Sequence, residues 1–184
     1  MRVLALTGSL RRDSYNTSLL RAAADAAPAG MVVDLYAGLA SLPPYDADAD
    51  VGDGPGPVQD LRDRIAAADA VLVATPEYNG SIPGQLKNAV DWASRPYPGS
   101  ALRGKAVAVI GASTSAYGGL WAQTELRKSL GIAGARVLSE GVAVPKAQER
   151  FDAEGRLLDE ALRDQLAALL ATLATETQAL GVAA

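Results

Sequence analysis

The sequence predicts an α/β fold in which a parallel sheet is covered by helices on both faces. The first observation behind this prediction is that apolar segments of strand length alternate with segments whose apolar residues recur at helical spacing. The second is that three of the apolar segments are continuously apolar, which is typical of strands buried on both faces of a sheet. The third is the length of 184 residues, which suits one well-buried core, so we expect a single domain over 1–184.

The predicted strands and helices follow one another in a regular order. Five strands are predicted, at 2–7, 31–35, 70–75, 105–112 and 135–144. The first, third and fourth are the continuously apolar ones, and we expect them at the centre of the sheet. Helices are predicted at 14–27, 57–68, 84–94, 119–130 and 157–180. Because strands joined through helices in this way make right-handed crossovers, they should run parallel.

One long irregular stretch, at about 36–56, is rich in proline, glycine and aspartate. A loop of this length in a compact domain is usually functional or mobile, and the sequence leaves open whether it is a lid. It is not interpreted as a linker between domains, because too little chain precedes it to form a separate core.

The absence of both cysteine and histidine narrows the chemistry open to this chain. It removes disulfides, thiolate nucleophiles, histidine-based triads, imidazole acid–base catalysis and the usual zinc sites, and we expect no metal site. Any catalysis must therefore depend on another group.

Charge and hydropathy indicate a small-molecule partner. A net charge of −4 and a pI near 4.8 give no broad positive surface for nucleic acid. No apolar run is long enough to span a bilayer, and the first ten residues, MRVLALTGSL, become polar too early for a signal peptide. We therefore expect a cytoplasmic protein that binds neither nucleic acid nor a membrane.

Three polar loops follow predicted strands and should meet at one edge of the sheet. They are TGSLRRDSYNTSLL at 7–20, TPEYNGSIPG at 75–84 and GASTSAYGG at 111–119. In an open parallel sheet, ligands bind outside the carboxyl ends of the strands, where the strand order reverses. This edge is therefore the predicted ligand site.

The first loop has the composition of a site for a terminal phosphate. It matches neither GxGxxG nor GxxxxGK[ST], so it is neither a dinucleotide fingerprint nor a nucleotide-triphosphate loop. A helix N-terminus offers unpaired N–H groups and a partial positive charge, to which short polar side chains and an arginine can add donors. The alternative is that Ser14 and Asn16 only cap the helix and that Arg11 and Arg12 are solvated surface charges.

The second loop contains a strong signal for a hairpin turn, Asn79-Gly80. The flanking sequence argues against a hairpin, because Pro83-Gly84 is followed by apolar residues at helical spacing. We therefore predict a strand, a loop and a helix. In the third loop, glycines would let the backbone approach a flat ligand, and Tyr117 could stack on that ligand or merely cover the sheet edge.

Three segments together resemble the NADPH-dependent FMN reductase family of flavodoxin-like proteins. They are GSLRRDSYN at 8–16, PEYNGSIPGQLKNAVDW at 76–92 and GGLWAQTELRKSLGIAGARVL at 118–138. The resemblance extends from residue 1 to about 145, and the PEYNGSIPG segment is its most specific part. It implies a flavodoxin-like three-layer sandwich with a five-stranded parallel sheet in the order 2-1-3-4-5.

The resemblance also implies a set of site residues around non-covalently held FMN. The residues expected to hold its phosphate are Ser9, Arg11, Ser14, Asn16 and Thr17. Those expected to line its ribityl chain and ring are Pro76, Glu77, Tyr78, Asn79, Gly80 and Ser81. Those expected to approach the ring from the other side are Ser113, Tyr117, Gly118 and Gly119.

The expected activity is a hydride transfer from NADPH or NADH to FMN and on to a flavin, quinone or similar acceptor. The flavin would be the reactive group, and no residue is assigned as a catalytic acid or base. The resemblance further implies a homodimer or homotetramer. An alternative is a flavodoxin-type electron carrier, although a net charge of −4 gives little support for a charged docking face. A phosphate-ligand binder without redox activity would leave PEYNGS unexplained.

Overall fold

The computed structural model describes residues 1–182, and it contains one parallel sheet. The strands are β1 (Arg2–Thr7), β2 (Val32–Tyr36), β3 (Ala70–Ala74), β4 (Ala106–Ala112), β5 (Arg136–Val137) and β6 (Ala143–Val144). They pair in the order β2-β1-β3-β4-β5, with β6 also on β4, and every pair is parallel. The predicted order 2-1-3-4-5, which is that of the flavodoxin-like fold, is confirmed.

Helices cover both faces of this sheet. They are α1 (Tyr15–Asp25), α2 (Gly56–Ala67), α3 (Gly84–Ala93), α4 (Leu120–Ile132), the short α5 (Ala147–Arg150) and α6 (Glu160–Val182). Along β1, Val3 and Ala5 pack into the core formed with α1 and α6, whereas Leu4 and Leu6 pack into the core formed with α2, α3 and α4. The same alternation in β3 and β4 explains why these strands are apolar at every position.

The prediction of one long fifth strand at 135–144 is wrong, because two short strands separated by a bulge replace it. Val137 pairs with Val107 and Ala143 pairs with Gly111, so six steps along this segment face four steps along β4. Two extra residues are therefore accommodated between β5 and β6, and the ladder on β4 is interrupted.

Arg127 of α4 fills the interruption. Its Nη2 donates to the carbonyl of Val109 at 3.2 Å, at a point of β4 that the bulged segment leaves unpaired. A Cβ at Gly141 would clash with both the guanidinium of Arg127 and the carbonyl of Val109. Glycine at this position thus lets the chain pass over the inserted guanidinium. Burial lowers the pKa of Arg127, and the negative charge of Glu140 acts against this shift.

Part of the irregular stretch 36–56 is held along α3. It contains two 3₁₀ turns, Gly38–Ser41 and Ala47–Ala49. Asn88 Nδ2 and Trp92 Nε1 both donate to the carbonyl of Pro43 at 2.8 Å. The segment therefore acts as a strap that fixes α3, the helix that directly follows the second polar loop.

No helix among residues 1–182 has both the length and the apolar character needed to cross a membrane.

Candidate active site at the carboxyl ends of the strands

The three polar loops meet in a cleft at the carboxyl ends of β1, β3 and β4. The residues that line it are Ser9, Arg11, Ser14, Tyr15, Asn16, Pro76, Glu77, Tyr78, Ala112, Ser113 and Thr114. Backbone hydrogen bonds fix the loop starts: Gly8 N donates to Ala74 O at 2.8 Å, and Thr75 N donates to Ile110 O at 3.0 Å. The strand order places these three loops side by side, as the sequence predicts.

The first loop presents buried hydroxyls and the N-terminus of α1 to the cleft. Ser14 is the N-cap of α1, and its Oγ accepts the N–H of Asn16 at 3.2 Å. Ser9 Oγ accepts the N–H of Arg11 at 3.3 Å. Both serines are more than nine-tenths buried, yet within the described chain neither hydroxyl donates its own proton to a protein group. Ser14 therefore caps the helix, as in the alternative to phosphate binding given above. Its hydroxyl proton is still free to donate to a ligand.

The amide of Asn16 is used within the protein. Its Nδ2 donates to Ala112 O at 2.9 Å, and Ala112 N donates back to its Oδ1 at 2.9 Å. This reciprocal pair ties the first turn of α1 to the last residue of β4. The structure thus gives Asn16 a role in holding the third loop against the first, which the sequence could not reveal because the partners are 96 residues apart.

The two arginines of the first loop differ in position. Arg11 lines the cleft, and its guanidinium carbon lies 5.5 Å from the ring centroid of Tyr15. Arg12 is exposed and does not line the cleft. Thr17 also lies outside the lining, and its hydroxyl donates to Thr7 Oγ1 at 3.3 Å. Of the two arginines, only Arg11 is placed to meet an anion in the cleft.

The second loop contains a tight turn at Asn79-Gly80. Tyr78 and Ser81 exchange both backbone hydrogen bonds, at 3.0 and 3.1 Å, around Asn79 and Gly80. The φ angles of Asn79 and Gly80 are 55° and 75°, as in a type I′ turn. The turn is one residue pair long and lies inside the predicted strand–loop–helix connection. The turn joins no two strands, and the predicted course of strand, loop and helix is confirmed by β3 and α3.

The side chain of Glu77 connects the second loop to α4. Its Oε2 accepts the backbone N–H of Trp121 at 3.0 Å and that of Ala122 at 3.2 Å. The carboxylate therefore satisfies the first turn of α4 from a loop more than 40 residues earlier in the chain. The resemblance implied that Glu77 lines a flavin, and the structure shows in addition what its carboxylate binds within the protein.

The third loop is folded back on itself by serine hydroxyls. Ser113 Oγ accepts the N–H of Ser115 and donates to Ser115 Oγ, both at 3.1 Å. A Cβ at Gly118, whose φ is 60°, would lie 2.8 Å from Val144 N. This glycine thus permits a close approach to β6, a role that differs from the predicted approach to a ligand.

Aromatic side chains stand exposed beside the cleft. Tyr78 is 53% exposed and Tyr117 is 59% exposed. Tyr117 packs against the exposed ring of Trp121, with ring centroids 5.2 Å apart. The predicted residues that do not line the cleft itself are Thr17, Asn79, Gly80, Ser81, Tyr117, Gly118 and Gly119.

Three lining residues, Tyr15, Ala112 and Thr114, were missed by the sequence analysis. Tyr15 stacks on Phe151, with centroids 5.6 Å apart. Tyr15 directly follows the N-cap of α1, and this position in the sequence indicates that it lies at the cleft. Ala112 and Thr114 flank Ser113, so the end of the fourth strand would have identified them.

The unused donors of the first loop fit a phosphate. Of the first three N–H groups of α1, only that of Asn16 has a protein partner within residues 1–182. The free N–H groups, the two serine hydroxyls and Arg11 together form a set of donors, and the one carboxylate among the lining residues, that of Glu77, is bonded to α4. FMN ends in such a phosphate.

Comparison with known proteins agrees with this geometry. The chain is 44% identical over 165 residues to an NAD(P)H-dependent FMN reductase of Pseudomonas aeruginosa, covering 89% of this chain and 88% of that protein. It is 40% identical over 167 residues to a 2-hydroxy-1,4-benzoquinone reductase of a Burkholderia species, covering 90% of each. The solved structure of FerB, a flavoenzyme NAD(P)H:(acceptor) oxidoreductase from Paracoccus denitrificans, superposes with a TM-score of 0.85 at 36% identity, covering 96% of this chain and 97% of that one. Residues 1–149 match the profile of the family described as NADPH-dependent FMN reductase, and this protein belongs to that family.

Proposed function

We propose that the protein is an FMN-dependent NAD(P)H oxidoreductase that reduces a flavin, a quinone or a similar acceptor. The observation that carries this proposal is the cleft at the carboxyl ends of β1, β3 and β4, where unused hydrogen-bond donors of the first loop lie beside the second and third loops. The family membership and the reductase relatives support the same activity.

The first loop would hold the phosphate of FMN. Ser9 and Ser14 would donate their free hydroxyl protons, the N-terminus of α1 would supply backbone N–H groups, and Arg11 would add a charged hydrogen bond. Asn16 would act indirectly by holding Ala112 in place.

The second and third loops would form the walls around the ring and ribityl chain. Backbone N–H groups of Asn79 and Gly80 make no hydrogen bond within residues 1–182, so the turn has donors to offer. Fixed donors near the ring stabilise negative charge that develops there on reduction. Tyr78 would add apolar area at the rim.

The residues of this chain would bind and orient rather than transfer protons. The chain has no histidine or cysteine, and we assign no acid or base among the residues that line the cleft. FMN held by these residues would supply the hydride chemistry between NAD(P)H and the acceptor.

The absorbance spectrum of the purified protein, followed by NAD(P)H oxidation, tests the proposal. We expect FMN to co-purify or to bind on addition, and NAD(P)H to be consumed when a quinone is present. Bound flavin without NAD(P)H oxidation would instead indicate the electron-carrier alternative. A protein that stays colourless after added FMN would contradict both.

Two further properties belong to the same proposal. We expect a homodimer or homotetramer, and the exposed Tyr78, Tyr117 and Trp121 beside the cleft are apolar surface that a second subunit could cover. We also expect a cytoplasmic location, since a reductase of this kind needs a supply of NAD(P)H. Light scattering and cell fractionation check these two expectations.

A further inference from the structure

The N-terminus of α4 has no cap of its own. Its N-cap residue is Gly119, which has a left-handed φ of 76° and no side chain, and its first turn contains no acidic residue. The first N–H groups of a helix need partners, and Ala122 in this first turn is completely buried. The N–H of Leu120 bonds locally to Tyr117 O at 3.2 Å, whereas those of Trp121 and Ala122 have no acceptor in the neighbouring sequence.

Glu77 supplies the missing cap from the opposite wall of the cleft. A single oxygen, Oε2, accepts the N–H groups of both Trp121 and Ala122. A negative charge at this position also interacts favourably with the positive end of the helix dipole. A Cβ at Gly119 would lie 3.8 Å from that of Glu77, so the side chain passes close over the start of the helix.

This contact joins the two walls between which we place the flavin ring. Glu77 directly precedes the turn at Tyr78–Ser81, and Gly119 ends the third loop. Glu77 also lines the cleft, and its carboxylate accepts a hydrogen bond from the first turn of α4. Removal of this carboxylate would therefore change the distance between the two walls and would also leave N–H groups of α4 without an acceptor.

We propose that Glu77 is a positioning residue whose carboxylate closes the N-terminus of α4 and thereby sets the spacing of the flavin cleft. The part concerning the flavin rests on the proposed function, and the part concerning the helix does not. Neither part requires Glu77 to exchange a proton with substrate.

Replacing the carboxylate and then restoring it with a small anion tests the proposal. Glu77→Ala should weaken FMN binding about tenfold in a fluorescence titration and lower the melting temperature by roughly 2–4 °C, because α4 loses its cap. Acetate, which has the size of the removed group, should restore much of both losses. Chloride at equal ionic strength should restore neither.

Three comparison proteins make the result specific. Acetate should have no effect on the native protein or on Glu77→Gln, where the space remains filled. Glu77→Gln should bind FMN with an affinity between native and Glu77→Ala, since its amide oxygen can still accept an N–H. Glu125→Ala removes an exposed carboxylate from the same helix and should leave both FMN affinity and melting temperature unchanged.

Native FMN affinity in Glu77→Ala, or losses that acetate does not restore, would overturn the proposal. If Glu77→Ala does not fold, native FMN affinity in Glu77→Gln would overturn it instead. If the native protein binds no FMN, the proposed function fails, and the melting experiment with acetate still decides whether Glu77 caps α4.

Discussion

Arg11 and Arg12 are neighbours in the chain, but only Arg11 lines the cleft. Arg11→Ala should therefore weaken FMN binding by about 1.5–3 kcal/mol, the usual range for a hydrogen bond to a charged group. Arg12→Ala is the matched control and should leave the dissociation constant almost unchanged. Fluorescence titration of both variants measures the difference. A larger loss in Arg12→Ala would show that the phosphate lies elsewhere in this loop.

Gly80 has a left-handed backbone conformation, with φ at 75°, and open space around the position of a Cβ. A side chain is thus limited by the backbone angle and not by a clash. Gly80→Asn should be tolerated, whereas Gly80→Val should distort the turn, since a β-branched residue strongly disfavours this conformation. We expect Gly80→Val to keep the far-ultraviolet circular dichroism of the native protein and to lower FMN affinity at least tenfold. Unchanged affinity per folded molecule would mean that the turn is only structural.

Within residues 1–182, the buried hydroxyl of Tyr36 makes no hydrogen bond of normal geometry, although the carboxylate of Asp60 lies near it. Burial, followed by the nearby negative charge of Asp60, raises the pKa of Tyr36 to about 12. Between about pH 10 and 12 the unfolded chain loses this proton while the folded protein keeps it, so stability falls as the pH rises. A shift of this size corresponds to a loss of about 3 kcal/mol in the free energy of unfolding.

Tyr36→Phe should therefore be more stable than the native protein by about 1 kcal/mol at pH 7, because it removes an unsatisfied buried group. The difference in stability between Tyr36→Phe and the native protein should increase above pH 10. Urea unfolding at several pH values measures it. Burial also lowers the pKa of Lys105, but this group is present in both proteins and its contribution cancels. Tyr97→Phe, at a 77% exposed tyrosine, should show neither effect. A constant gap across pH 9–12 would contradict the raised pKa.

At the scale of elements, the strap at 36–56 is fixed to α2 by a largely buried ion pair. Arg62 Nη2 lies 2.7 Å from Asp50 Oδ1, and the two side chains are only 11% and 12% exposed. Asp50→Asn should cost about 3 kcal/mol in urea unfolding, since it leaves a poorly solvated guanidinium without its counter-ion. It should also expose the strap to limited proteolysis.

The control for this prediction is Asp91→Asn, which breaks the exposed pair between Lys87 and Asp91 on α3. An exposed pair of this kind contributes about 0.5 kcal/mol. Equal effects of the two substitutions would mean that the burial of the Arg62–Asp50 pair does not matter.

The sequence predicted the elements that depend on local pattern and missed the features that depend on distant partners. The continuously apolar strands β1, β3 and β4 and the helices between them could be read from their own residues. The bulge between β5 and β6 could not, because it depends on Arg127 reaching from α4 to Val109.

The candidate site shows the same division. The three loops and most of the lining residues follow from the rule that ligands bind at strand ends. Asn16 bonds to a residue 96 positions away, and Glu77 bonds to one 44 positions away. Neither hydrogen bond can be predicted from the local sequence. The turn signal at Asn79-Gly80 and the helical pattern after it are both correct, because a two-residue turn fits inside the longer connection from β3 to α3.

At the scale of the whole molecule, a flavin that binds in the cleft should raise the melting temperature. The size of the increase should depend on whether the flavin carries a terminal monophosphate. FMN at a hundred times its dissociation constant adds about 2.7 kcal/mol, which for a chain of this size raises the melting temperature by roughly 5–11 °C. Riboflavin, which lacks the phosphate, should give a much smaller shift at the same concentration. FAD should also give less, because the first loop is built around a terminal monophosphate. Equal shifts with FMN and FAD would contradict the assignment of that loop.

The interrupted fifth strand also bears on how the molecule avoids aggregation. The edge of a sheet offers unpaired N–H and C=O groups on which a strand from another chain can add. Here the edge beside β4 consists of two strands of two residues each, which are out of step with one another because of the bulge. An incoming strand would lose its register after two residues. The irregularity that Arg127 and Gly141 make possible thus removes a continuous template for intermolecular β-sheet growth at this edge.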